Sequence, residues 1–196
     1  MTLPANQPRP ATRRSDAARN RDKIIMVARA AFAAPGAEVS MAEISRRAGV
    51  GMATLYRNFP GRRELLEALY SEEVDAICEA TQTSGGQTSG GQTPGPGLIC
   101  WLRQLFVFFA SKRHIAAELL KNTDSSDPVF GGGRARVIAA GQPLLAAAQD
   151  AQEIRGDLAV EQILDLIHAI ATIDGDTSYT QPILQAALDG LRPRAS

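Results

Sequence analysis

The sequence predicts an all-α protein with an N-terminal three-helix unit followed by a larger helical domain. Three observations carry this. Apolar residues recur at i, i+3, i+4 and i+7 from Asp16 onward. No stretch alternates apolar and polar residues between hairpin turns. Glycine and proline breaks fall between the periodic stretches.

Residues 1–15 hold three prolines and three arginines without apolar periodicity and are expected to form a disordered basic arm. Ile24, Ile25, Ala28, Ala31 and Phe32 then line one face of a first helix, which Pro35-Gly36 stops. Ser40-Met41-Ala42-Glu43 is a capping box: the Ser40 hydroxyl can satisfy the Glu43 amide while Glu43 reaches back. It predicts a short helix over 41–48 that buries Ile44 and Ala48. Gly49 permits the positive φ of a tight helix-to-helix turn. Met52 to Phe59 forms a second short helix, closed by Pro60-Gly61. A long helix starts near Arg62, with Leu65, Leu66, Leu69, Tyr70, Val74 and Ile77 on its apolar positions.

Residues 81–97 differ in kind. Ser84-Gly85-Gly86-Gln87-Thr88 repeats at once as Ser89-Gly90-Gly91-Gln92-Thr93, then Pro94-Gly95-Pro96-Gly97 follows. This composition predicts a flexible linker. Leu98, Trp101, Leu102, Leu105, Phe108 and Phe109 next form a stripe at helical spacing, and Ile115 to Leu120 is short and apolar. A long candidate over 128–149 is weakened by Gly131-Gly132-Gly133, Gly141 and Pro143. Helices over 158–173 and 179–191 close the chain.

The 196 residues balance 21 Lys and Arg against 21 Asp and Glu, but unevenly. Residues 1–63 hold 12 basic and 4 acidic residues, an excess of eight positive charges; residues 64–196 hold 9 and 17, an excess of eight negative ones. The split suggests a nucleic-acid-binding domain over 16–63 joined to a second domain over 64–196. No apolar run is long enough for a membrane span, and the N-terminus lacks a secretory apolar segment, so the expected compartment is the cytoplasm. Cys78 and Cys100 make no disulfide framework. With His114 and His168 they match no zinc spacing, so neither a metal nor a cofactor is expected. Two histidines, without H-E-x-x-H, G-x-S-x-G or a phosphate loop, argue against an enzyme. Basic residues are mostly arginine, 18 of 21, and alanine is abundant, which suggests a GC-rich bacterial genome.

Two short helices joined at a glycine turn, in the basic segment, describe a helix-turn-helix. The second must enter a major groove about 12 Å wide. Its open side offers Met52, Ala53, Thr54, Tyr56, Arg57 and Asn58, while Leu55 and Phe59 point inward. Arg57 suits a bidentate contact to guanine, and the Thr54 and Tyr56 hydroxyls suit phosphate oxygens. Arg62 and Arg63 open the next helix, where backbone amides also favour phosphate. Ser40 is a further DNA candidate. Arg46 and Arg47 serve equally to contact phosphate or to complement the helix dipole.

At these residues the chain resembles the DNA-binding domain of TetR-family transcriptional regulators. Ala48-Gly49-Val50, Thr54-Leu55-Tyr56, Phe59 and Leu65-Leu66 with Ala68 carry the resemblance, which covers about residues 18–75. Gly61 caps the fourth helix where a Ser or Asp is usual, and Gly51 stands where Ser is common. The resemblance implies a homodimer that binds double-stranded DNA, usually as a repressor released by a small ligand in the C-terminal domain, with the last two helices as the interface. For that interface the sequence offers Ile163, Leu164, Ile167 and Ile170, then Ile183, Leu184, Ala187, Leu188 and Leu191. Two recognition helices about 34–36 Å apart, or a multiple, would read a palindrome. For the ligand pocket the candidates are Trp101, Leu105, Phe108, Phe109, Leu119, Phe130, Ile138 and His168, which suit a largely apolar small-molecule effector. An architectural or constitutive DNA-binding protein without an effector shares the N-terminal features and needs no cavity.

Overall fold

A computed structural model of the chain describes residues 10–32, 39–85, 93–120 and 128–193. They form helices α1 (Pro10–Ala31), α2 (Met41–Ala48), α3 (Met52–Asn58), α4 (Arg62–Gly85), α5 (Pro94–Leu120), α6 (Pro128–Asp150), α7 (Val160–Ala171) and α8 (Thr177–Asp189). No described residue lies in a strand. Two compact units emerge, Met1–Leu69 and Tyr70–Ser196. The units part after Leu69, not after residue 63 as the charge pattern suggested. Charge reports exposed positions, whereas packing follows the buried Leu65, Leu66 and Leu69.

In the first unit, α1 buries Ile24, Ile25, Ala28 and Ala31 and packs on α2 and α3. The helix begins at Pro10, so residues 10–15 belong to it and not to a disordered arm. A proline suits a first turn, since its fixed φ is helical and its missing N–H has no partner there. Residues 1–9 and the Pro35-Gly36 stop lie outside the described residues.

The linker expected over 81–97 is also revised. Residues 81–85 finish α4, and Pro94 to Gly97 form the first turn of α5, while 86–92 lie outside the described residues. The Gly95 amide donates to Glu153 Oε2 at 2.6 Å, which ties the α5 start to the segment after α6. α5 and α6 each run unbroken through stretches that composition had weakened.

The core of the second unit gathers Trp101, Leu102 and Leu105 of α5, Leu145 of α6, Ile163 and Ile167 of α7, and Leu184 and Leu188 of α8. This corrects the expected dimer interface. Ile163, Leu164, Ile167, Ile170, Leu184, Leu188 and Leu191 are buried within a single chain, and Ile183 and Ala187 pack half-buried against the same core. α7 is apolar on more than one side because α5, α6 and α8 all pack on it. The fully buried side chains leave little surface for a second protomer, whereas the half-buried Ile183 and Ala187 keep an open side. The exposed large apolar residues of the last two helices are Leu166 and Tyr179.

Candidate nucleic-acid interface and ligand cavity

α2 and α3 meet at a turn held from several sides. The Ser40 hydroxyl caps α2 by accepting the Glu43 amide at 3.2 Å. Gly49 sits at φ +65°, and its amide donates to the Arg46 carbonyl. The Val50 amide donates to the Ser45 carbonyl at 3.1 Å. Ser45 is buried and donates its hydroxyl to the Val50 carbonyl at 2.6 Å. Sequence reasoning missed Ser45. The signal was a polar residue beside Ile44 on the inward side of an eight-residue amphipathic helix.

Leu55 and Phe59 are buried as expected, which leaves Met52, Ala53, Tyr56 and Arg57 exposed on α3. Thr54 is half-buried, and the Asn58 amide donates to the Thr54 carbonyl at 2.8 Å. One N–H of the Asn58 amide is thus occupied within its own helix. Arg62 is engaged as well. Its guanidinium donates to the Val39 carbonyl and lies 4.9 Å from the centroid of the Phe32 ring. A side chain so engaged joins the start of α4 to the end of the α1 segment and to the entry of α2. Arg63 pairs with Glu67 at 2.6 Å, an i,i+4 contact along α4.

Glu43 does not complete the capping box. Its carboxylate takes both Arg46 nitrogens, Nε at 2.9 Å and Nη2 at 2.6 Å, and Arg47 Nε at 2.6 Å. A bidentate guanidinium outcompetes one backbone amide. Hydrogen bonds from Arg46 and then Arg47 hold the Glu43 carboxyl at about 2. Both arginines stay exposed, Arg46 the more so, and they share one internal counter-charge.

The second unit holds a cavity of about 460 Å³. α4 contributes Tyr70; α5 contributes Phe108, Phe109, Lys112, Arg113 and Ala116. α6 adds Phe130, Gly133, Arg134 and Val137, and Leu164, His168 and Thr172 complete the wall. Of the expected lining residues, Phe108, Phe109, Phe130 and His168 are brought together here. Trp101 and Leu105 are not, since both are fully buried and the Trp101 indole donates to the Ile77 carbonyl at 3.0 Å. Leu119 is buried away from the wall, and Ile138 packs against the core. The stripe through 101 and 105 is the inward face of α5, and the cavity opens one or two turns further along the helix, where Phe108 and Lys112 continue that stripe and Phe109, Arg113 and Ala116 lie beside it. Lys112 and Arg113 were missed. Their signal was a cation four residues after each of two adjacent phenylalanines, hence on the same side.

Burial raises the Tyr70 phenol above its ordinary value, so it faces the cavity as a neutral hydroxyl at neutral pH. Burial likewise pushes the Cys78 thiol up, away from reactive thiolate character. Among the described residues, no group of three or more His, Cys, Asp and Glu side chains is placed to hold a metal ion. No described helix is long and apolar enough to cross a membrane.

Residues 24–69 match the family model described as bacterial regulatory proteins, tetR family, and residues 93–193 match that of the transcriptional regulator SbtR-like C-terminal domain. The TetR transcription regulatory protein from Mycobacterium vanbaalenii is 33% identical over 92% of this chain and 99% of its own, with a TM-score of 0.70. The TetR transcriptional regulator SCO0520 from Streptomyces coelicolor is 31% identical over 89% of this chain and 99% of its own, also with a TM-score of 0.70. FadR from Bacillus subtilis, in complex with stearoyl-CoA, shares the fold at 18% identity over 87% of this chain and 99% of its own, with a TM-score of 0.63. No curated protein matches the chain.

Proposed function

Because the chain belongs to the TetR family of DNA-binding transcriptional regulators, we propose that it is a homodimeric repressor, released from a palindromic operator when a small, largely apolar ligand enters the cavity of its second unit. One observation carries the ligand step. Tyr70 lines that cavity and stands on α4, the helix whose first turn supplies Arg62 and Arg63 to the DNA-binding unit. A ligand that prefers one position of α4 shifts the DNA-binding state by its difference in affinity for the two states.

The operator is read by α3, with Arg57 on base edges, and Met52, Ala53 and Tyr56 on the same exposed surface. Ser40, Thr54, Arg46 and Arg63 serve the phosphates. The two protomers meet through the outer faces of α7 and α8, around Leu166 and Tyr179, since the inner faces belong to the core. The acidic second domain is repelled by the duplex, which turns the basic unit toward it.

The test is binding to a duplex from upstream of the protein's own gene, against random duplex at two salt concentrations. The specific site should win by about a thousandfold or more. Equal binding overturns sequence-specific regulation. Strong specific binding that no small molecule weakens favours the constitutive DNA-binding reading instead.

A further inference from the structure

The wall of the cavity is not uniformly apolar, and its rings form one continuous arc. Phe130 stands edge-on to Tyr70 with centroids 5.4 Å apart, and Tyr70 lies 6.2 Å from Phe108. Phe108 tilts against Phe109 at 5.3 Å, and Phe109 meets the His168 imidazole edge-on at 5.0 Å and 88°. Edges and faces presented around one void favour a flat ring system as guest. A volume of about 460 Å³ is within the range of small-molecule sites.

The same wall carries positive charge. Lys112, Arg113 and Arg134 line the cavity and no carboxylate does. The three cations are not equivalent. Arg113 holds Asp174 at 2.8 Å and the Ile173 carbonyl at 3.1 Å, so it braces the end of α7. Arg134 holds Asp165 at 2.7 Å. Lys112 meets Glu73 at 3.4 Å, and both side chains are only 18% exposed. An ammonium has three donors, and one long contact leaves donor capacity for a second anion in shielded surroundings.

Resting on the reading of this cavity as the effector site, we propose that its ligand is an aromatic carboxylate, with one or two fused rings inside the arc and the carboxylate on Lys112. A neutral aromatic would leave the spare donor capacity of Lys112 without a charged acceptor, and a flexible aliphatic acid would leave ring edges and faces without a complementary partner.

The experiment uses the full chain and four probes: benzoate, 1-naphthoate, 1-naphthalenemethanol and decanoate. Titration calorimetry should show 1-naphthoate binding about tenfold or more tightly than either the alcohol or decanoate, as one charge-assisted hydrogen bond or one stacked ring implies. Lys112→Met should weaken 1-naphthoate by about the same factor and leave the alcohol unchanged, whereas Lys112→Arg should stay within a few-fold of the parent protein. Circular dichroism on each variant separates lost binding from lost fold. Equal binding of acid and alcohol, equal binding of decanoate, or no binding of either aromatic acid overturns the proposal. The same probes added to the protein on its upstream duplex distinguish the two readings. If the alcohol releases DNA as well as the acid, the carboxylate proposal falls and the effector reading stands. If the acid binds with the expected selectivity yet leaves DNA bound, the chemistry of the cavity stands and the effector reading falls.

Discussion

A Cβ built on Gly141 would lie 2.6 Å from the Cη2 atom of Trp101. The indole cannot step aside, because it is fully buried and its Nε1 is bonded to the Ile77 carbonyl. Val160 closes the other side at 3.1 Å. The residue that looks like a helix defect in α6 is thus what lets α5 and α6 approach. Gly141→Ala should cost about 1–3 kcal/mol through overpacking, despite its better helix propensity. Gly131 of the same helix has nothing within 4 Å of its Cβ position, so Gly131→Ala should stabilise by up to about 1 kcal/mol. Denaturant unfolding of the two variants should shift in opposite directions.

Arg57 is exposed on α3 between the buried Leu55 and Phe59. Arg57→Ala should lose about 1–3 kcal/mol of specific binding and relax preference at one position of each half-site. Selection from a randomised duplex pool reads this out, and an unchanged preference would remove Arg57 from base reading.

Glu43 offsets the charge of Arg46 and Arg47. Its folded carboxyl is at about 2, below the ordinary value of 4.5, so the contribution is present above the unfolded value and is lost as pH falls from there toward about 2. Glu43→Gln should flatten that part of the stability profile. It should also raise affinity for random duplex by about two- to tenfold at low salt, since two guanidiniums lose their internal counter-charge. A fall in affinity would show instead that Glu43 is needed to aim them.

Leu166 and Ile167 are neighbours on α7 with opposite surroundings, 40% and 1% exposed. Ile167→Ala should cost about 2–5 kcal/mol of protomer stability by leaving a cavity. Leu166→Glu should keep the helical signal in circular dichroism and shift the light-scattering mass toward one protomer. An unchanged mass would move the dimer surface away from this face.

The helix-turn-helix was largely legible in the sequence because its signals are local. A cap, a glycine and two short apolar patterns act within a few residues of one another, and Ser40, Gly49, Leu55 and Phe59 all sit as those patterns imply. Legibility ended where a side chain had a choice of partners. Glu43 had an amide and two guanidiniums in reach, and Arg62 had a carbonyl and a ring. Composition also misled at Pro94 to Gly97, where prolines suit a first turn, and across α6, where Gly133 and Gly141 meet bulky neighbours.

By itself the sequence determined that this protein is helical, where most helices run, and that its positive charge collects around a short exposed helix. Those properties follow from period, capping and charge, each set by residues near in the chain. The tertiary structure decided what each face meets. It closed the core fully over Trp101 and Leu105 but opened a cavity beside Phe108 and Phe109, although all four share one helix. It turned the inner sides of α7 and α8 to their own chain and left Leu166 and Tyr179 outside. A 3.6-residue period says that a face is apolar; only the arrangement of neighbouring helices says whether that face is covered by core, by a ligand or by a second copy.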